Sequence, residues 1–178
     1  MKLLKKTSAK DSKYSVLDSG RVLSNVKLAA RGLLNNSDKK NAGERIVAGK
    51  SNSRLIILRH RESVQNAKNI CTGQLGGTLS KKGLRDAKKV GRRLSSYYID
   101  VAYSSDLKRA IDTAKEIIKF HPGLKLKKDA RIRERYFGKL QGKPFPKDLD
   151  WKNLPKCVES DKRIDLRASK FIKYLEPA

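Results

Sequence analysis

The hydrophobic pattern is densest at Leu55-Ile56-Ile57-Leu58, an unbroken apolar run with two β-branched residues. A run of this length without polar alternation predicts a buried strand. It stops abruptly at Arg59-His60-Arg61, which predicts that the carboxyl end of that strand opens onto a polar edge. The period then changes. Ser80 reads as an N-cap, and Leu84, Ala87, Val90 and Leu94 recur at helical spacing, with Lys81, Lys82, Arg85, Lys88, Lys89, Arg92 and Arg93 filling the other face. Asp100-Val101-Ala102-Tyr103 predicts the next strand, and Leu107, Ala110, Ile111, Ala114, Ile117 and Ile118 a helix that ends near His121-Pro122-Gly123. His121, in that turn, is expected at the surface. Leu124-Lys125-Leu126-Lys127 alternates like an edge strand, and the Pro-containing stretch from Lys143 to Cys157, with Trp151, reads as a loop or lid. Ser160-Asp161 caps a last helix with Ile164, Ala168, Phe171, Ile172 and Leu175 inward. A strand, a turn and a helix in quick succession are half of a βαβ unit, so residues 54–178 are expected to form one α/β domain.

Composition separates the first 53 residues from the rest. Apolar residues make up 38% of the chain, below the ~45–50% of a typical globular domain. Residues 1–53 carry 12 basic and four acidic residues with weak periodicity. Such a segment buries too little to offset its ordering entropy, and reads as a basic, disordered extension. Residues 26–34 have the pattern of a short amphipathic helix, and a basic leader of this kind raises organelle targeting beside a default cytoplasmic location. Cys71 and Cys157 lie far apart without CxxC spacing, which argues against a disulfide framework or a zinc site. No run of apolar residues is long enough for a transmembrane helix, and no membrane partner is expected. The net charge of +25 concentrates anions around the molecule and keeps non-specific nucleic-acid binding among the candidate partners.

The candidate chemistry begins where the first strand ends. An imidazole beside a guanidinium offers a nitrogen nucleophile to an electrophile whose negative oxygens are held by a planar fork of donors, as in a phosphoryl group. The loop after Asn66 contains Cys71-Thr72-Gly73 and two further glycines, Gly76 and Gly77; such backbone can approach an anion closely. Arg109 falls in the first turn of a helix, where backbone N–H groups already favour an anion. Glu134, among Arg131, Arg133 and Arg135, reads by residue type alone as a surface ion-pair cluster.

Arg59-His60-x-Glu62-Ser63-x-x-Asn66 resembles the signature of the histidine phosphatase superfamily, the phosphoglycerate mutase-like proteins, with Arg61 standing where that family has Gly. Ser104-Ser105-Asp106-Leu107-x-Arg109-Ala110 is a second matching segment, and Ile132-x-Glu134-x-x-Phe137-Gly138 a third, with Gln141 in place of a later acid. Thr78-Leu79-Ser80-x-x-Gly83-x-x-x-Ala87 matches more loosely. The wording Arg-Glu-Arg-Tyr-Phe-Gly is similar to members acting on small phosphorylated metabolites, including the fructose-2,6-bisphosphatase-like branch. The resemblance implies a three-layer α/β sandwich with a mostly parallel central sheet flanked by helices. It implies His60 as the phosphorylated nucleophile, Glu134 as the proton donor, and Arg59, Asn66, Arg109, Thr72 and Gly73 as phosphate-binding candidates. No metal and no cofactor are implied. The family also carries a later central strand ending in Ser/Thr-His-Gly, which has no counterpart here, since His60 and His121 are the only histidines. The sheet is therefore expected to be incomplete at its C-terminus, with an unpaired edge in its middle through which the chain could self-associate.

Three functions remain in play from these residues. A phosphatase or mutase acting on small phosphorylated metabolites through a phosphohistidine on His60 accounts for the motifs. A pseudophosphatase that binds phosphate-bearing ligands without turnover accounts for Arg61 and the absent second histidine. A basic nucleic-acid-associated protein accounts for the charge alone.

Overall fold

The computed structural model describes residues 55–175 throughout and, ahead of them, the backbone of Arg54 and of two strands. The elements are β1 (Tyr14–Asp18), β2 (Glu44–Ala48), β3 (Arg54–Leu58), the single turn α1 (Val64–Ala67), α2 (Lys81–Leu94), β4 (Val101–Ser104), α3 (Lys108–Ile118), β5 (Leu126–Lys128) and α4 (Asp161–Leu175). Short 3-10 turns at Ala130–Ile132 and Gly138–Leu140 lie between β5 and α4. One five-stranded sheet runs in the order β2-β3-β1-β4-β5. β1 is parallel to β3 and to β4, β5 is parallel to β4, and β2 is antiparallel to β3.

Two expectations change here. Within the stretch 1–53, read as a mostly disordered extension, Tyr14–Asp18 and Glu44–Ala48 are strands of the sheet; the short amphipathic helix at 26–34 lies outside the described residues. The unpaired edge expected in the middle of the sheet is absent, because β1 fills the place between β3 and β4, with Val16 opposite Ile56 on one side and Ala102 on the other. The reason lies in the backbone. A buried strand edge leaves N–H and C=O groups without partners, and Tyr14-Ser15-Val16-Leu17 has the β-forming side chains to supply them.

Alternation along β3 divides the core into two layers. Ile57 faces Tyr103, Ile132 and the α4 residues Ile164, Ala168, Phe171 and Ile172. Ile56 and Leu58 face the opposite way, toward Val90 and Leu94 of α2, Ala102 of β4 and Ile117 of α3. Helices therefore cover both faces of the sheet, the three-layer α/β arrangement. Each such side chain, fully buried, contributes about 1.5–3 kcal/mol.

Helix α2 is capped as expected, Ser80 accepting from the Gly83 N–H at 2.9 Å, but its buried face is rotated. The inward residues are Gly83, Ala87, Val90, Gly91 and Leu94, and Leu84 is 39% exposed. Two close approaches turn it. A Cβ at position 83 would lie 2.0 Å from the Glu62 carbonyl oxygen, and one at 91 would lie 2.5 Å from the Phe120 ring. The glycines let α2 settle against the loop after β3 on one side and against the end of α3 on the other. His121 also departs from expectation: it is 9% exposed, with Nε2 buried and without a partner among the described residues. Burial lowers its pKa.

Candidate active site

A cavity of about 260 Å³ opens at the carboxyl end of β3, and Arg59, His60, Asn66, Thr72, Gly73, Arg109 and Glu134 all line it. These residues come from the β3 loop, the glycine loop, α3 and the turn after β5. The seven candidate site residues thus share one space, walled on its apolar side by Ile70, Cys71, Phe137 and Phe145.

His60 is 8% exposed. Its Nδ1 lies 2.8 Å from the Arg61 carbonyl oxygen, so Nδ1 carries the proton and donates it there. Nε2 is then the lone-pair nitrogen, and it accepts from Nε of Arg109 at 3.1 Å. Burial, followed by the charges of Arg109, Arg59 and Arg61, lowers the His60 pKa to about 4, against a smaller opposing effect of the Arg61 carbonyl. The imidazole is neutral at pH 7, as a nucleophile must be.

Arg109 is 2% exposed and is aimed by backbone. Its Nη2 donates to the Gly73 carbonyl at 2.7 Å and its Nη1 to the Leu75 carbonyl at 3.1 Å. Thr113, one turn on, donates to the Arg109 carbonyl at 2.8 Å and accepts the Arg61 N–H at 3.0 Å, tying α3 to the β3 loop. Gly73 has a φ of +51°, and a Cβ there would come within 2.2 Å of Oε1 of Gln141. That oxygen accepts from the Gln74 N–H at 2.7 Å and the Phe137 N–H at 3.2 Å. Gln141 therefore bridges the two loops that shape the cavity, a role its place in the sequence did not suggest.

Asn66 spends its side-chain oxygen on Ser63, accepting from the Oγ at 2.8 Å and the N–H at 3.3 Å in a capping box. Its two amide hydrogens have no partner among the described residues. Thr72 uses its hydroxyl on the Ile70 carbonyl at 3.2 Å. Glu62 lies outside this cavity: its carboxylate accepts from Ser80 at 2.7 Å and Lys82 at 3.2 Å, fastening α2 to the β3 loop.

Glu134 is freed from the arginines around it, because each of them is occupied elsewhere. Arg131 forks onto Asp129 at 2.6–3.1 Å, Arg133 pairs with Asp106, and Arg135 pairs with Asp161 and donates to the Glu159 carbonyl. Among the described residues Glu134 Oε1 accepts only the adjacent Arg135 N–H, at 2.9 Å. Its backbone is held from α4 by Arg167, which donates to the carbonyls of Arg131, Arg133 and Glu134 and pairs with Glu159 at 2.8 Å. The surface ion-pair cluster expected around Glu134 is thus three separate pairs, none of which includes it. The Pro-containing stretch contributes Phe145 to the cavity wall, with Trp151 stacked against it at 6.0 Å and Phe137 edge-on to both. Cys71, also unsuspected as a wall residue, is buried, and burial pushes its thiol pKa up. No cluster of three or more His, Cys, Asp or Glu able to hold a metal occurs among the described residues, and no helix among them is long and apolar enough to cross a membrane.

Comparison with known proteins places this architecture. The chain is 40% identical to a 2,3-bisphosphoglycerate-dependent phosphoglycerate mutase of Methanococcus vannielii over 49% of each chain. It is 40% identical to the phosphoglycerate mutase of Schizosaccharomyces pombe over 49% of this chain and 44% of that one. It therefore spans about half the length of the curated relatives it matches. Among solved structures, a mycobacterial glucosyl-3-phosphoglycerate phosphatase in complex with VO3 superimposes with a TM-score of 0.60 at 28% identity, covering 66% of this chain and 64% of that one. Residues 55–176 match the model of the histidine phosphatase superfamily (branch 1), and it is to this family that the chain belongs.

Proposed function

We propose that the chain carries the catalytic pocket of a phosphatase or mutase acting on small phosphorylated metabolites through a phosphohistidine at His60. The observation that carries this reading is the His60–Arg109 pair: a neutral imidazole whose unprotonated Nε2 sits beside a buried guanidinium, in a cavity that Glu134 shares.

The steps follow from the groups present. The substrate phosphate enters against Arg59, Arg109 and the amide hydrogens of Asn66, which hold its non-bridging oxygens and offset their charge. Arg109 Nε releases His60 and turns its hydrogen to a phosphate oxygen. The Nε2 lone pair forms a bond to phosphorus while the P–O ester bond breaks, and Glu134 in its protonated form gives its proton to the departing alkoxide oxygen. Nδ1–H stays on the Arg61 carbonyl, which steadies the positive charge on the phosphorylated ring. In the second half Glu134 takes a proton from water, whose oxygen attacks phosphorus and breaks the N–P bond; in a mutase a substrate hydroxyl takes the place of water. His60→Ala is expected to abolish hydrolysis of an aryl phosphate and the acid-labile phosphoenzyme formed in a rapid quench. Unchanged turnover in that variant defeats the reading.

A second reading, phosphate binding without turnover, has one specific observation in its favour. The Arg109 Nε–H bond occupies the very lone pair that would attack. Tight binding of vanadate or phosphate with no phosphoenzyme is the result that favours it.

A further inference from the structure

Helix α2 carries seven Lys or Arg and one acid, Asp86, in 14 residues. Its apolar face is taken: Val90 and Leu94 pack into the core layer beside β3 and β4, Ala87 is fully buried, and Leu84 at the border is 39% exposed. On the other side Lys81, Arg85, Lys88 and Arg92 are all exposed. Their spacing, i, i+4, i+7 and i+11, sets them within about 60° of one another in a straight row about 16 Å long.

Acids do not match this row. Lys82 pairs with Glu62 at 3.2 Å and Lys89 with Asp86 at 3.6 Å, while Lys81, Arg85, Lys88 and Arg92 meet no carboxylate among the described residues. The neighbouring helix shows the opposite pattern, with Lys108 on Asp112 at 2.8 Å and Lys119 on Glu116 at 2.5 Å. Nor does α2 gain from its cations. Like charges three and four residues apart repel, and Lys81 and Lys82 stand in the first turn, where the helix dipole disfavours positive charge. The row opposes the helix that bears it and fits a polyanion lying along it.

A second feature stands at the end of the helix. Tyr97 packs against the core and Ile99 is buried in it, so Tyr98 between them is turned outward, 66% exposed, four residues beyond Leu94. An exposed ring beside a row of cations gives a nucleobase a face to stack on while the cations take the backbone phosphates. A duplex keeps its bases stacked and leaves Tyr98 unused. A membrane surface fits less well, because an interfacial helix sinks its apolar face into lipid and that of α2 is committed to the core.

We infer that the outer face of α2, with Tyr98 at its end, is a binding site for single-stranded nucleic acid, the row holding about four phosphates and the ring one base, without sequence readout. None of these five residues lines the reaction cavity, so the site is separate from the His60 chemistry.

The test uses the full chain and a fluorescein-labelled oligouridylate of about 12 nucleotides, with binding followed by anisotropy over a series of salt concentrations. The logarithm of the association constant falls with the logarithm of salt as counterions are released. In Arg85→Gln/Lys88→Gln/Arg92→Gln that slope is expected to shrink by about 2, and affinity at about 0.1 M salt to drop about 100-fold. Tyr98→Ala is expected to weaken binding about tenfold with the slope unchanged. The thermal midpoint should hold in both, because the altered side chains are exposed. Should the triple variant lose its fold, Arg92→Gln alone gives the same reading through a slope smaller by about 0.7. Wild-type slope and affinity in the folded charge variants place the contact elsewhere on this basic chain and overturn the inference. So does wild-type affinity in Tyr98→Ala, and so does tighter binding to a duplex of the same length or to phosphatidylserine vesicles than to the single strand.

Discussion

Two arginine-rich stretches lie on either side of the cavity, and they behave in opposite ways. In the loop after β3, Arg59 and Arg61 meet no acid among the described residues, and their charges add to burial and Arg109 in lowering the pKa of His60. In the turn after β5, Arg131, Arg133 and Arg135 are each matched to an acid outside the cavity, Asp129, Asp106 and Asp161, and so leave Glu134 alone. The first stretch leaves its charge unmatched by any acid among the described residues, and the second commits its charge to the fold. Residue type does not distinguish them; the location of the partner acids does.

The largest effect expected from this contrast is at Arg109, the buried cation. Arg109→Ala should lower kcat/KM toward an aryl phosphate by about 10³-fold. Arg109→Lys should rescue little, because one ammonium cannot reach His60, Gly73 and Leu75 together. Glu134→Gln should cost about 10²–10⁴-fold with an alkyl phosphate and far less with p-nitrophenyl phosphate, whose leaving group needs no proton. Equal losses on the two substrates would break the assignment of Glu134 as the acid. The pH dependence sharpens the other side of the comparison. His60 binds its proton less readily folded than unfolded, so the stability it contributes is present above about pH 6.5 and is lost as pH falls toward about 4, an amount of about 3 kcal/mol. Urea midpoints measured between pH 7 and 4 should fall less steeply in His60→Gln. The smallest effect belongs to the paired arginines: Asp106→Asn should change stability by less than about 1 kcal/mol, since that pair is partly exposed to screening solvent.

The parts of this arrangement legible in the sequence were those coded by short-range pattern. The β3 run, the Ser80 cap, the α3 stripe and the inward face of α4 all lie where periodicity places them. The parts that escaped depend on contacts between distant segments. Leu84 is pushed outward because Gly83 and Gly91 bring α2 close to Glu62 and Phe120. The pairing of β1 with both β3 and β4 joins Ser15 to the level of Val101, a partnership no local window can show. Gln141 looked like a lost acid, yet its amide oxygen holds two backbone N–H groups across the cavity wall. The isolation of Glu134 depends on Asp106 and Asp161, which lie in other elements.

The bond from Arg109 to the His60 lone pair also bears on chemical reactivity. A histidine with so low a proton affinity would ordinarily be open to acylating reagents such as diethyl pyrocarbonate. Here the electron pair is covered in the resting protein. An oxyanion that draws the guanidinium away uncovers it, so a small anion too short to fill the cavity should accelerate labelling at this ring rather than protect it, the reverse of ordinary active-site protection.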